Sequence, residues 1–150
     1  MRRLILTVPF LLLACVKGET PPADSAAMAT TPPALTDADV AGTWTGTVTP
    51  EGSDSVMAHW TQICAAGTCR FTTQEAPRDT MTATYVIEGD SVRATSAPYK
   101  DAMVAKGAMI IDTWVARVSG GQVTGHGMAK LADKPDSVVM RYRFTGTRAP

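Results

Sequence analysis

The side chains of this 150-residue chain with the most chemistry to offer are its histidines, its three cysteines and a few serine and carboxylate neighbours. His59 and His126 could seed a metal site, but no third ligand stands at a readable spacing, so structural or surface roles are expected of both. His126 lies between Gly125 and Gly127, where glycines mark a bulge or a close backbone approach. Asp54, Ser55 and His59 are residue types used in nucleophilic hydrolysis. That chemistry is defined by spatial geometry, however, and no G-x-S-x-G elbow is present. Ser119-Gly120-Gly121 opens no helix and reads as a turn rather than a phosphate cradle. No catalytic residue, metal ligand or cofactor is assigned, and the chain is not expected to be an enzyme.

Binding offers more than catalysis. Trp44, Trp60, Tyr85, Trp114, Tyr142 and Phe144 fall in the apolar registers of the strands described below, interleaved with Gly46, Ala58, Ala83, Ala94 and Gly125. This mixture suits a narrow, aromatic-lined ligand cavity. It suits equally a plain core in which large and small residues interlock, and the plain core is the simpler expectation. Met57, Met81, Met109, Met128 and Met140 would make either version deformable, and read as filler rather than as a copper site.

The elements that must position these residues begin after a distinct leader. Arg2 and Arg3 precede an apolar run, Leu4 to Leu13, interrupted only by Thr7 and Pro9. The run is too short to span a bilayer as a helix, and it reads as a secretory signal. Its end, Leu12-Leu13-Ala14-Cys15, resembles the lipobox of bacterial lipoproteins. The resemblance implies a diacylglyceryl group on the Cys15 thiol, cleavage before Cys15, and acylation of the new amine. Residues 1–14 are then the signal peptide. The protein would sit in the bacterial cell envelope, anchored to a membrane through Cys15 and facing the periplasm or the exterior.

Residues 15–39 carry Pro21-Pro22 and Pro32-Pro33 among Ala, Thr and Asp, and should form a disordered tether. Such a tether would reach roughly 25 Å root-mean-square. Residues 40–150 remain for one domain with one core. The 14 basic and 14 acidic residues cancel, which leaves none of the electrostatic footprint of a nucleic-acid binder. With Cys15 assigned to lipid, Cys64 and Cys69 form an even pair across Ala65-Ala66-Gly67-Thr68. A cross-strand disulfide at that hairpin is expected, contributing about 2 kcal/mol through loop closure.

From Val40 onward the pattern alternates with period 2. Strands are expected over Gly42–Val48, Ser55–Cys64, Cys69–Glu75, Met81–Ile87, Val92–Ser96, Ala108–Val118, Gln122–Leu131 and Ser137–Arg148. In the last of these, Val138, Met140, Tyr142 and Phe144 should point inward, and Arg141 and Arg143 outward. Residues 98–107 are the least readable stretch: Tyr99 to Lys106 could form one helical turn or a lid-like loop, and the loop is the expectation. About eight strands at even spacing predict an all-β fold, an antiparallel up-and-down barrel or strongly curved sheet.

Gly42-Thr43-Trp44 on the first strand is similar to the Gly-x-Trp signature of lipocalins. Residues 41–148 also resemble small lipocalin-like lipoproteins of bacteria through Gly89-Asp90-Ser91 and Phe144-Thr145-Gly146-Thr147-Arg148. The resemblance implies a barrel in which an arginine from its end (Arg141, Arg143 or Arg148) packs near Trp44. It does not name a ligand. Two functions are therefore carried forward. One is a membrane-anchored barrel that binds a small apolar molecule or serves as a scaffold. The other is an accessory subunit that meets an envelope protein partner through its outer face, motivated by the two-sided apolar strand Ala108–Val118.

Overall fold

The computed structural model describes residues 34–76, 80–100, 103, 105 and 107–150. The leader, the Cys15 lipidation site and most of the expected tether lie outside the described residues. A four-residue helix, α1 (Asp37–Val40), precedes nine strands: β1 (Gly42–Pro50), β2 (Ala58–Ala65), β3 (Thr68–Thr73), β4 (Met81–Glu88), β5 (Ser91–Ser96), β6 (Tyr99–Lys100), β7 (Met109–Ser119), β8 (Gln122–Leu131) and β9 (Val138–Arg148). Sequence neighbours pair antiparallel from β1 to β5 and from β7 to β9. The sheet closes on itself because β5 pairs with β7 and β9 with β1. The product is an eight-stranded antiparallel barrel, with β6 as a two-residue addition at the start of β7.

Closure leaves no long unpaired edge among the eight principal strands, which removes the aggregation hazard of so many exposed β segments. Period-2 patterning fixes which residues enter. Ala58, Trp60 and Cys64 on β2, Ala83 and Tyr85 on β4, and Val92, Ala94 and Ser96 on β5 are all buried. The expected Cys64–Cys69 disulfide is formed across the directly opposed pair that closes the β2–β3 hairpin.

The inward glycines have a packing reason. Gly46 faces Trp60 across the ladder, Gly125 faces Phe144 and Gly127 faces Tyr142. A β-carbon at any of the three would collide with that aromatic partner and with a carbonyl of a neighbouring strand. The rings lie across the glycines, so wide side chains fit inside a small barrel. This is the close approach anticipated at Gly125 and Gly127.

Several sequence expectations change. Tyr99–Lys100, inside the stretch read as a loop, pair with β7 as β6, and the second strand begins at Ala58 rather than Ser55. The ladder slips between Ala129 and Lys130, where β8 and β9 bulge. One extra residue reverses the facing of everything beyond it, so Val138 turns outward instead of inward. At the other extreme, residues 34–39 were expected in the tether but are seated on the barrel. Leu35 packs against the core and donates its N–H to the Gly89 carbonyl at 3.2 Å, and Asp37 accepts from the Tyr85 hydroxyl at 3.0 Å.

Candidate functional site

The up-and-down winding gives the barrel two unlike ends. The β2–β3, β4–β5 and β7–β8 hairpins, helix α1 and the C-terminal end of β9 gather at one end, here the capped end. The β1–β2, β3–β4, β5–β7 and β8–β9 connections gather at the other.

At the capped end Trp44 is 2 % exposed. Its indole N–H donates to the Val40 carbonyl at 2.8 Å, which ties the strand to the helix. Of the three candidate arginines it is Arg148 that packs over this ring, with its guanidinium carbon 4.6 Å from the ring centroid. The same guanidinium donates to the carbonyls of Ala41 and Asp39, each at 2.5 Å. It thereby satisfies carbonyls that the end of a short helix leaves without partners. Gly42 is required beside it: φ is +117°, and a β-carbon would lie 2.9 Å from the Arg148 Nη1. Asp39 accepts from both the backbone N–H and the hydroxyl of Thr36. Those hydrogen bonds, with help from the Arg148 charge, hold its carboxyl below the usual aspartate range. Tyr85 titrates above its ordinary value chiefly because it is buried, and the bonded Asp37 adds to the shift.

The other end is hollow. A cavity of about 110 Å³ lies there. An engineered apolar cavity of about 150 Å³ is enough to bind benzene, so this space matches roughly one ring. Of the six aromatic residues expected to bind ligand, Trp60, Trp114, Tyr142 and Phe144 line it. Trp44 and Tyr85 do not. They surround a remnant space of only about 20 Å³ at the capped end, to which Trp114 and Phe144 also contribute. The aromatic lining is ordered by edge contacts. Trp60 meets Phe144 at 6.3 Å between centroids with planes 83° apart, and Phe71 meets Trp114 at 5.1 Å and 88°. Met57, Met81, Met103 and Met140 complete the apolar wall.

The polar feature of the cavity was not singled out from sequence. Asp112 stands in the inward register of β7 between Ile110 and Trp114, and lines the cavity. Its Oδ2 accepts from the Tyr99 hydroxyl at 2.5 Å and its Oδ1 from the Tyr142 hydroxyl at 3.3 Å. Its backbone N–H donates to the Ser96 hydroxyl at 2.9 Å. Burial pushes the Tyr142 phenol well above its ordinary value of 10.0, and the Asp112 charge and hydrogen bond push it further. A carboxylate flanked by two phenols, within an aromatic and thioether wall, can bind and orient an apolar molecule. The signal available in the sequence was parity: Asp112 is a lone acid in step with Ile110, Trp114 and Ala116.

The two histidines lie away from this cavity. His59 Nδ1 is 3.1 Å from Glu75 Oε1, and Glu75 also accepts from the His59 backbone N–H. Burial works to raise the Glu75 pKa, but a hydrogen bond from its own backbone, followed by those from His59, brings it below the usual value. His126 is exposed on the outward face of β8, opposite Val115 and Arg143. Arg143 pairs with Asp54 in the β1–β2 connection at 3.1 Å. Among the described residues, no group of three or more His, Cys, Asp or Glu is placed to hold a metal ion. No helix among them is long and apolar enough to cross a membrane.

Together the fold and the site define a class: a closed, eight-stranded antiparallel barrel with a cavity at one end. No family model, no curated protein and no solved structure matches the chain.

Proposed function

We propose that the protein is a lipid-anchored lipoprotein of the bacterial envelope whose lipocalin-like barrel binds a small apolar molecule in the cavity. The observation that carries the binding half is a ring-sized internal space walled by aromatic and methionine side chains. The anchor half rests on the leader and Leu12-Leu13-Ala14-Cys15. Stable attachment follows if Cys15 carries two or three acyl chains, since each buried methylene adds about 0.8 kcal/mol.

Binding is tested by titrating the full-length chain with 2-phenylethanol and following tryptophan emission, because Trp60 and Trp114 line the cavity. Saturable quenching is expected in the native protein. Ala129→Phe, which fills the space from a buried position on β8, should abolish it. Absence of saturable quenching in the native chain would refute the binding half. Intact-mass analysis of membrane-extracted protein tests the anchor: the expected chain starts at Cys15 and carries diacylglycerol, whereas an unmodified chain starting at Met1 overturns it.

The outer face favours a ligand over a docking role. Its most exposed large apolar residues stand singly beside polar neighbours, Ile63 between Thr43 and Arg70 and Val86 opposite Arg93. Single exposed apolar residues of this kind are ordinary on a surface and do not by themselves mark a docking site.

A further inference from the structure

We propose that the barrel docks mouth-down on the bilayer that holds its anchor, with Val56, Met103, Met109 and Val138 dipping into the lipid interface. The proposal rests on the anchor reading of Cys15 and adds the surface that meets the membrane.

Six large apolar side chains are exposed among the described residues, and four of them border the cavity end. Met103 lines the cavity itself. Val56 precedes the lining residue Met57 in the β1–β2 connection, and Met109 precedes Ile110 at the start of β7. Val138 opens β9 two residues before Met140, which also lines the cavity. In the closed order of the sheet the four follow one another along one side of the rim. They run from the β1–β2 connection past β9 and β7 to the β5–β7 connection. The other two, Ile63 and Val86, stand on the wall toward the capped end, near the far ends of β2 and β4.

Apolar side chains beside long basic ones suit a lipid interface. The methylene stem lies along the apolar layer while the ammonium reaches the headgroups. Lys100 is directly opposite Met109 on the β6–β7 ladder, and Lys130 is opposite Val138 across β8 and β9. The β8–β9 connection also carries Asp133, Lys134 and Asp136, so charge of one sign does not dominate there. Insertion of the apolar rim, rather than charge attraction, must then hold the contact.

The tether permits this orientation even though it joins the barrel at the capped end, where Leu35 is bonded to Gly89. The 11 residues of β9 rise about 36 Å along the strand, or about 28 Å along the axis at the tilt of a small barrel. The span of about 20 residues from Cys15 to Leu35 would reach roughly 25 Å root-mean-square as a flexible chain, and about 65 Å fully extended. A lipid on Cys15 can therefore sit in the same bilayer that the rim touches. Because the anchor already confines the barrel near the surface, a weak contact suffices.

The test uses the full-length lipidated chain in phosphatidylcholine vesicles, with and without bromine atoms in the upper acyl chains, which quench tryptophan emission on close approach. Val138→Trp places a reporter on the rim and Ile63→Trp places one on the wall, both at exposed positions. Quenching beyond that of the native chain should be about threefold greater for Val138→Trp than for Ile63→Trp. It should persist in about 1 M salt, where the Debye length is about 3 Å. Adding Met103→Glu and Met109→Glu to Val138→Trp should abolish the extra quenching while the chain still floats with the vesicles. Docking through the rim is overturned if the extra quenching is absent, equal at both reporters, lost in salt, or retained with the two glutamates. A chain that floats without rim quenching leaves the anchor reading standing, and a chain that does not float overturns both. The comparison of the two reporters decides by itself if the glutamate variant fails to fold.

Discussion

The two ends of this barrel are built from the same strands and similar aromatic residues, yet one is packed shut and the other is hollow. At the capped end Trp44, Tyr85, Val92, Ala94 and Ala116 are all buried, and only about 20 Å³ of space survives. At the cavity end Trp114, Tyr142, Phe144 and Met140 are half-buried around about 110 Å³. The capped end owes its packing to the segment that lies over it. The Thr36–Val40 segment lies over the capped end, held by Trp44, Tyr85 and Arg148. Trp44 and Tyr85 thus become core where a segment outside the sheet is fixed above them.

This contrast can be attacked from both sides. The largest effect is expected at Trp44. Its replacement by alanine removes a fully buried ring and the bond to Val40, and should cost about 3–5 kcal/mol in urea unfolding followed by circular dichroism. Loss comparable to a surface substitution would show that the capped end is not the stable half. Next comes the disulfide. Replacing both Cys64 and Cys69 with serine reopens a short loop and should lower stability by about 2 kcal/mol, or more if the buried serine hydroxyls stay unpaired. Arg148→Ala removes the stack on Trp44 and the carbonyl bonds to Asp39 in α1 and to Ala41 just after it, with an expected loss of about 1–2 kcal/mol. Hydrogen exchange at the amides of α1 should accelerate in this variant, while amides around Asp112 keep their native rates.

The cavity end should tolerate more. Met81→Leu nearly conserves volume in a wall that is already loose, so less than about 1.5 kcal/mol is expected by the same urea assay. A larger loss would mean the cavity is packed more tightly than its volume indicates.

The two ends also differ in their response to alkali. Tyr142 has a raised pKa in the folded state, so its contribution is complete below its ordinary value of 10.0 and is lost as pH climbs from there through the folded value. The native melting temperature should fall over that alkaline window. Tyr142→Phe should flatten the fall, which thermal scans at stepped pH would reveal. An unchanged slope would sink the assignment to Tyr142. Tyr85 shifts in the same direction, though less far, so the capped end contributes to the fall as well.

The smallest expected effect is a gain. Ala66 holds φ +46° in the β2–β3 turn beside Gly67, a left-handed conformation that suits asparagine or glycine better. Ala66→Asn should raise stability by about 0.5–1 kcal/mol in the urea assay. No change would show that the turn is not limiting.

Much of this architecture was readable from residue order. Alternation located all eight principal strands, because each side of a barrel wall faces a different medium. The spacing of Cys64 and Cys69 announced their hairpin. Gly125 and Gly127 announced a close approach, although the rings that occupy the space, Phe144 and Tyr142, come from the neighbouring strand. Parity also distinguishes Arg148 from Arg141 and Arg143, since only Arg148 is in step with Tyr142 and Phe144.

Other features were decided in three dimensions. Residues 34–39 have the composition of a tether, and nothing local reveals that Leu35 and Asp37 find Gly89 and Tyr85 some fifty positions away. The bulge that turns Val138 outward depends on the ladder between β8 and β9, which no single strand encodes. Above all, the division of six aromatics into core and cavity wall was not local. Side-chain alternation tells each residue which face it occupies, but whether that face meets packed atoms or empty space depends on segments brought across the barrel mouth by the closed sheet.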